Sequence, residues 1–80
     1  MSQSLNLVKN KSEELPNNIE AEQSVIGSIL LSNEIFDEVT LIISSKNFYD
    51  PVHKKIFEAL EKLIYGGLLA NPITLKNYFE

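Results

Sequence analysis

Four stretches of the chain carry apolar residues at helical spacing, and polar punctuation separates them. In the first, Ile19, Ile26 and Leu30 recur on one face, with Val25 and Ile29 widening the stripe. Asn17 and Glu20 have the Asn-x-x-Glu spacing of a capping box, in which each side chain satisfies a free amide of the first turn. Glu20, Glu22 and Gln23 then place polar and negative groups at the positive end of the helix dipole. Gly27 interrupts the bulk in mid-helix. Glycine there costs about 1 kcal/mol against alanine, so it is expected to mark a close helix crossing. The stretch 17–31 reads as a central helix on which the others pack.

The second stretch has Ile35, Phe36, Val39, Ile42 and Ile43 on one face, and Asn33 stands where a cap belongs, so a helix is expected over 33–43. Ser44-Ser45-Lys46-Asn47 is a connector, with Phe48 and Tyr49 as aromatic anchors. Asp50-Pro51 opens a third helix: Asp50 is the cap, and Pro51 takes the first helical position, where its missing amide costs nothing. Val52, Ile56, Phe57, Leu60, Leu63 and Ile64 form its stripe, and Gly66-Gly67 ends it near residue 65. Asn71-Pro72 repeats the device for a helix over 72–80 with Ile73, Leu75, Tyr78 and Phe79.

These elements give an all-α fold, a compact bundle of four helices over residues 16–80 behind an N-terminal arm. The arm, residues 1–15, holds Leu5, Leu7 and Val8 among polar residues with no period, and reads as flexible or loosely docked. Lys9-Asn-Lys11 within it reads as a solvated tail rather than a phosphate-binding arm. The expected core is Ile26, Ile29, Leu30, Phe36, Val39, Ile43, Phe48, Ile56, Phe57, Leu60 and Leu63. A helix that stops on Tyr78-Phe79-Glu80 after barely two turns suggests a fragment of something longer.

Composition narrows the function classes. Eighty residues make one domain at most. The chain has no cysteine, so it holds neither a disulfide nor a thiolate metal site. Its longest apolar run, around Val25 to Leu31, is far too short to span a bilayer, and the stretch 1–14 does not resemble a signal peptide. The net charge is −4, and all seven cations are lysine. An acidic chain without arginine is poorly equipped to grip nucleic acid by itself, because phosphate neutralisation dominates that affinity.

Catalytic chemistry is not visible. No phosphate-binding glycine loop is present. His53 is the only histidine, which excludes a His-pair metal site. Asp50 and His53, three apart in a first helical turn, read as a capping carboxylate beside a surface histidine rather than a catalytic pair. Glu34, Asp37 and Glu38 form the densest carboxylate cluster, but their helical positions place them on an outward, solvated face. No catalytic, cofactor-binding or metal-binding residue is assigned.

Taken with its junctions, the helix order resembles a known family. Asn18-Ile-Glu-Ala-Glu-Gln-Ser-Val-Ile-Gly-Ser-Ile-Leu-Leu31, then Phe48-Tyr-Asp-Pro-Val-His-Lys-Lys-Ile-Phe57, then Ile73-Thr-Leu75, look like the N-terminal domain of the bacterial replicative DNA helicase, the DnaB family. The likeness runs from about Leu15 to the end of the chain. It implies a multi-helix orthogonal bundle, stopping before the family's helical hairpin. It also implies a hexameric ring that unwinds DNA with ATP and magnesium in a separate motor domain, whose motifs have no counterpart here. The N-terminal domains of such rings form a collar that serves self-assembly and receives primase and, in some bacteria, the helicase loader. Contact with DNA would run through the motor. The implied location is the replisome on the bacterial nucleoid in the cytoplasm, or a plastid, with no membrane partner. One departure stands out: where the family usually reads Pro-Ile-Asp before the fourth helix, this chain has Leu69-Ala70-Asn71 and the proline has moved to position 72.

The leading functional expectation is therefore a non-catalytic assembly and docking module. Leu68, Leu69, Tyr78 and Phe79 are its candidate contact residues, although packing within the core and loop is the plainer reading of each. A second expectation, from another class, is a single-stranded nucleic-acid surface built from Tyr49, Tyr65 and the Lys54-Lys55 pair. A third is an unrelated helical adaptor.

Overall fold

The computed structural model describes residues 18–80; the expected arm, Lys9-Asn-Lys11 and Asn17 lie outside the described residues. Every regular element among them is helical: α1 (Ile19–Leu31), a 3-10 turn (Asn33–Ile35), α2 (Phe36–Thr40), a second 3-10 turn (Ser45–Asn47), α3 (Pro51–Tyr65) and α4 (Pro72–Tyr78). The all-α architecture of four helices is as expected.

Caps decide where the helices begin. Asn18 opens α1, its side-chain oxygen accepting from the Ala21 amide at 2.9 Å. The cap is thus one residue later than expected, and residue 20 falls out of register for a reciprocal bond. Asp50 caps α3 by accepting from the amides of Val52 and His53, with Pro51 at the first helical position. Asn71 caps α4 and exchanges bonds with Thr74 in a capping box. Helix α3 ends in a Schellman turn: Leu68 N–H bonds the Leu63 carbonyl and Gly67 N–H the Ile64 carbonyl. Gly67 has φ +83°, a conformation that favours glycine.

Three expectations are corrected. The second helix does not run unbroken over 33–43. It begins as a 3-10 turn, with the Asn33 side chain spent elsewhere rather than on a cap: its amide donates to the carbonyls of Ile29 and Ala70, and its oxygen accepts from Ala70 N–H at 2.8 Å; the α-helix then ends at Thr40. Beyond Thr40 the amides of Leu41 and Ile42 bond three residues back and that of Ile43 four back, and Ile42 lies on the surface rather than in the stripe. Gly27 marks no close crossing either, since a methyl group added there would meet nothing within 4 Å. The fourth helix stops at Tyr78, and Phe79 and Glu80 continue it only as a tightened last turn.

The core joins all the elements. Ile26 and Ile29 of α1, Phe36 of α2, Phe48 of the connector, Phe57, Leu60 and Leu63 of α3, and Ala70 of the last loop are buried together. Leu30, Val39, Ile43 and Ile56 are only partly buried against this cluster. Aromatic rings run through it, with Phe48 to Phe57 at 5.0 Å, Phe57 to Phe36 at 5.4 Å, and Phe36 meeting the edge of Tyr65 at 5.4 Å. A polar tie lies at each end of this apolar seam. Glu22, in the first turn of α1, meets the start of α3; Asn33, just after α1, meets Ala70, just after α3. The two long helices therefore point the same way, fastened near both ends.

A buried polar tie and an outward-facing apolar loop

The described residues offer two features beyond ordinary packing, and the first is at the start of α3. Glu22 is fully buried, on the same stripe as Ile26 and Ile29. Its carboxylate accepts from the backbone amides of Tyr49 and Asp50 and from His53 Nδ1, the last at 2.8 Å. A carboxylate can only accept, so it fixes a proton on that ring nitrogen. Burial pushes the Glu22 carboxyl up, but the Tyr49 amide, the hydrogen bond from the His53 ring, the Asp50 amide and electrostatic attraction to that ring together outweigh it. The group is held below its ordinary value of 4.5. Asp50 and His53 do touch, but through the His53 backbone amide at 3.3 Å. The imidazole turns to Glu22 instead, and it is buried rather than at the surface.

This arrangement suits holding, not reacting. Every lone pair of Glu22 that meets a donor meets one belonging to the fold itself. Among the described residues no three of His, Asp and Glu converge as metal ligands. Glu34, Asp37 and Glu38 all lie exposed. The Glu22–His53 pair escaped the reading of the sequence, although a signal was there. Each residue occupies a position on its helix's apolar stripe, at 22-26-29 and 53-57-60, where a solvated polar group has no place.

The second feature is the loop between α3 and α4. Its backbone is fixed at each residue. Leu68 N–H closes the Schellman turn, the Leu69 carbonyl accepts from the Thr74 hydroxyl at 2.8 Å, and Ala70 is held at both N–H and carbonyl by Asn33. With the chain pinned and Ala70 turned inward, Leu68 and Leu69 project into solvent. Thus the apolar dipeptide does not pack inward. Ile73, opposite Leu75 on α4, is also exposed, as are Tyr78 and Phe79, which meet edge to face at 5.3 Å. All four candidate contact residues are therefore at the surface.

The nucleic-acid expectation finds less support. Tyr49 precedes α3 and Tyr65 ends it, so about 20 Å of helix separates them. Tyr65 rests its ring against Phe36, and Lys54 and Lys55 lie near only one end. Bases stacked on both rings would have to span the whole helix.

Comparison with known proteins bears on the whole described chain. Residues 14–80 match the family model described as the DnaB-like helicase N terminal domain. The chain is 36% identical to the replicative DNA helicase DnaB of Rickettsia typhi, over 96% of this chain and 17% of that protein. With the same-named protein of Rickettsia felis it shares 44% identity over 79% of this chain and 13% of the relative. With that of Buchnera aphidicola the figure is 39%, over 84% of this chain and 14% of the relative. The chain thus spans about a sixth or less of the length of these curated relatives. No solved structure matches. With the match covering α1 through α4 and every junction between them, this chain belongs to the family of DnaB-like helicase N-terminal domains.

Proposed function

We propose that this chain is the non-catalytic N-terminal collar domain of a replicative DNA helicase, serving assembly of the ring and docking of primase. The relatives are named as replicative helicases, and the chain corresponds to a small part of each. The observation that carries the docking role is the fixed loop: hydrogen bonds to Leu68, Leu69 and Ala70 leave two leucines facing solvent, beside Ile73, Tyr78 and Phe79. Five large exposed apolar residues within twelve positions of the chain, two of them on a loop whose backbone is tied down, are suited to a protein partner. ATP and magnesium belong to the motor of such a helicase. The residues here do not fit them, since no glycine-rich phosphate loop occurs in this sequence and no metal-ligating cluster among the described residues. Contact with the helicase loader and residence in the cytoplasmic replisome follow from the same reading; no described helix is long and apolar enough to cross a membrane.

The test is titration of the chain, and of a version extended through the hairpin that follows in the family, with the C-terminal domain of primase. Binding by the 80-residue chain, weakened about tenfold or more by Leu69→Ser with Phe79→Ser, supports docking through these residues. Binding by the extended version alone moves the primase site off this surface, and no binding by either removes primase from the proposal.

A further inference from the structure

The outward side of the second helical region carries a surface that the assembly proposal does not use. Glu34 in the 3-10 turn, Asp37 and Glu38 on α2, and Leu41 and Ile42 just beyond it all point to solvent, whereas Phe36 is buried. All five are exposed, Leu41 and Ile42 to 84% and 82%. Acidic groups occupy the first half of this face and two large aliphatic groups the second. Among the described residues no cation lies within ion-pair distance of the three carboxylates; the ion pairs there are Glu22–His53 and Lys76–Glu80. Between Asn18 and Ser45 the chain has five acidic residues and no lysine.

Charge selects what can cover this face. A nucleic acid or an anionic lipid surface would bring negative charge to three unpaired carboxylates. A second copy joined about a two-fold axis would set carboxylates against carboxylates or against Leu41 and Ile42, and in neither register would it bring them a cation. Water alone leaves two large side chains more than four-fifths exposed next to each other. We propose that the 34–42 face is a docking site for a basic amphipathic helix of a partner protein. Lysines or arginines at one end of that helix meet Glu34, Asp37 and Glu38, and leucine-like residues at the other cover Leu41 and Ile42. At 1.5 Å per residue in α2 and about 2 Å in the 3-10 turn, the face is about 12–16 Å long, which matches two to three turns of such a helix.

The probe is a 14-residue leucine–lysine peptide of helical amphipathicity, followed by amide NMR shifts on the 80-residue chain. The controls are a peptide of the same composition in scrambled order and one with glutamate in place of lysine. Shifts confined to 33–43 are expected with the amphipathic basic peptide only. Leu41→Ser with Ile42→Ser weakens binding about tenfold or more, Glu34→Gln with Asp37→Asn and Glu38→Gln does the same, and added salt weakens it further. All five positions are exposed, and circular dichroism checks that the variants keep their helix. Shifts centred on 68–79, equal binding of either control peptide, or full binding by the Leu41/Ile42 variant would each overturn the proposal. So would shifts at 33–43 on concentrating the chain alone, which would make a second copy the occupant.

Discussion

A carboxylate without access to water is tolerated only where donors replace the hydration it has lost. Glu22 has three, two from the backbone ahead of α3 and one from the His53 ring. Its pKa is held below the ordinary carboxylate value in the folded chain. The stabilisation it brings is therefore complete above the unfolded-state value, near 4.5, and is lost as pH falls through the folded-state value. Thermal melts should show the chain losing stability below about pH 4.5 for this reason. Glu22→Gln should flatten that part of the profile and cost about 1–3 kcal/mol at neutral pH, because an amide nitrogen now faces donors. An unchanged acid limb in the variant would show that other carboxylates set it.

At the scale of the helix, the two central glycines part company. Gly27 lies in α1 with open space where a side chain would go, so Gly27→Ala should raise stability by about 0.5–1 kcal/mol. Gly67 also has open space, but its positive φ makes alanine strained, and Gly67→Ala should lower stability by about 1 kcal/mol or more. Paired denaturant titrations check both signs. The caps at Asp50 and Asn71 and the glycine stop after Tyr65 were legible because they depend on neighbours in sequence. The break at Ile35 was not. Asn33 is a good cap by type, but its side chain is claimed by Ala70, thirty-seven residues away, and local spacing carries no trace of such a bond. Glu22 failed for the same reason. Its place in a first turn explained it locally, while its donors come from residues 27 to 31 positions further on.

For the whole molecule, the buried aromatic core was legible, because Phe36, Phe48 and Phe57 each sit on or between clear apolar stripes. The rim of the core was not: Leu30, Val39, Ile43 and Ile56 share the same stripes and are only partly buried. A small domain has too little interior to enclose them all. The 80-residue chain should sediment as a monomer or a weak dimer, and a stable hexamer would show that these helices alone close a ring. The surfaces at 34–42 and 68–79 differ in charge, so added salt should weaken contacts at the first and spare those at the second.

The fastening of α1 to α3 has a consequence for how the chain comes to be folded. During synthesis Glu22 leaves the ribosome well before Tyr49, Asp50 and His53, and Asn33 well before Ala70. Until those partners arrive, α1 has an apolar stripe containing a charge that water still solvates, so it cannot settle against anything that lacks matching donors. Premature collapse would bury that charge uncompensated. Only the start of α3 supplies what Glu22 requires, and only the turn beyond α3 supplies what Asn33 requires. The bonds that hold the finished domain thus become available only once the chain has been made as far as Ala70.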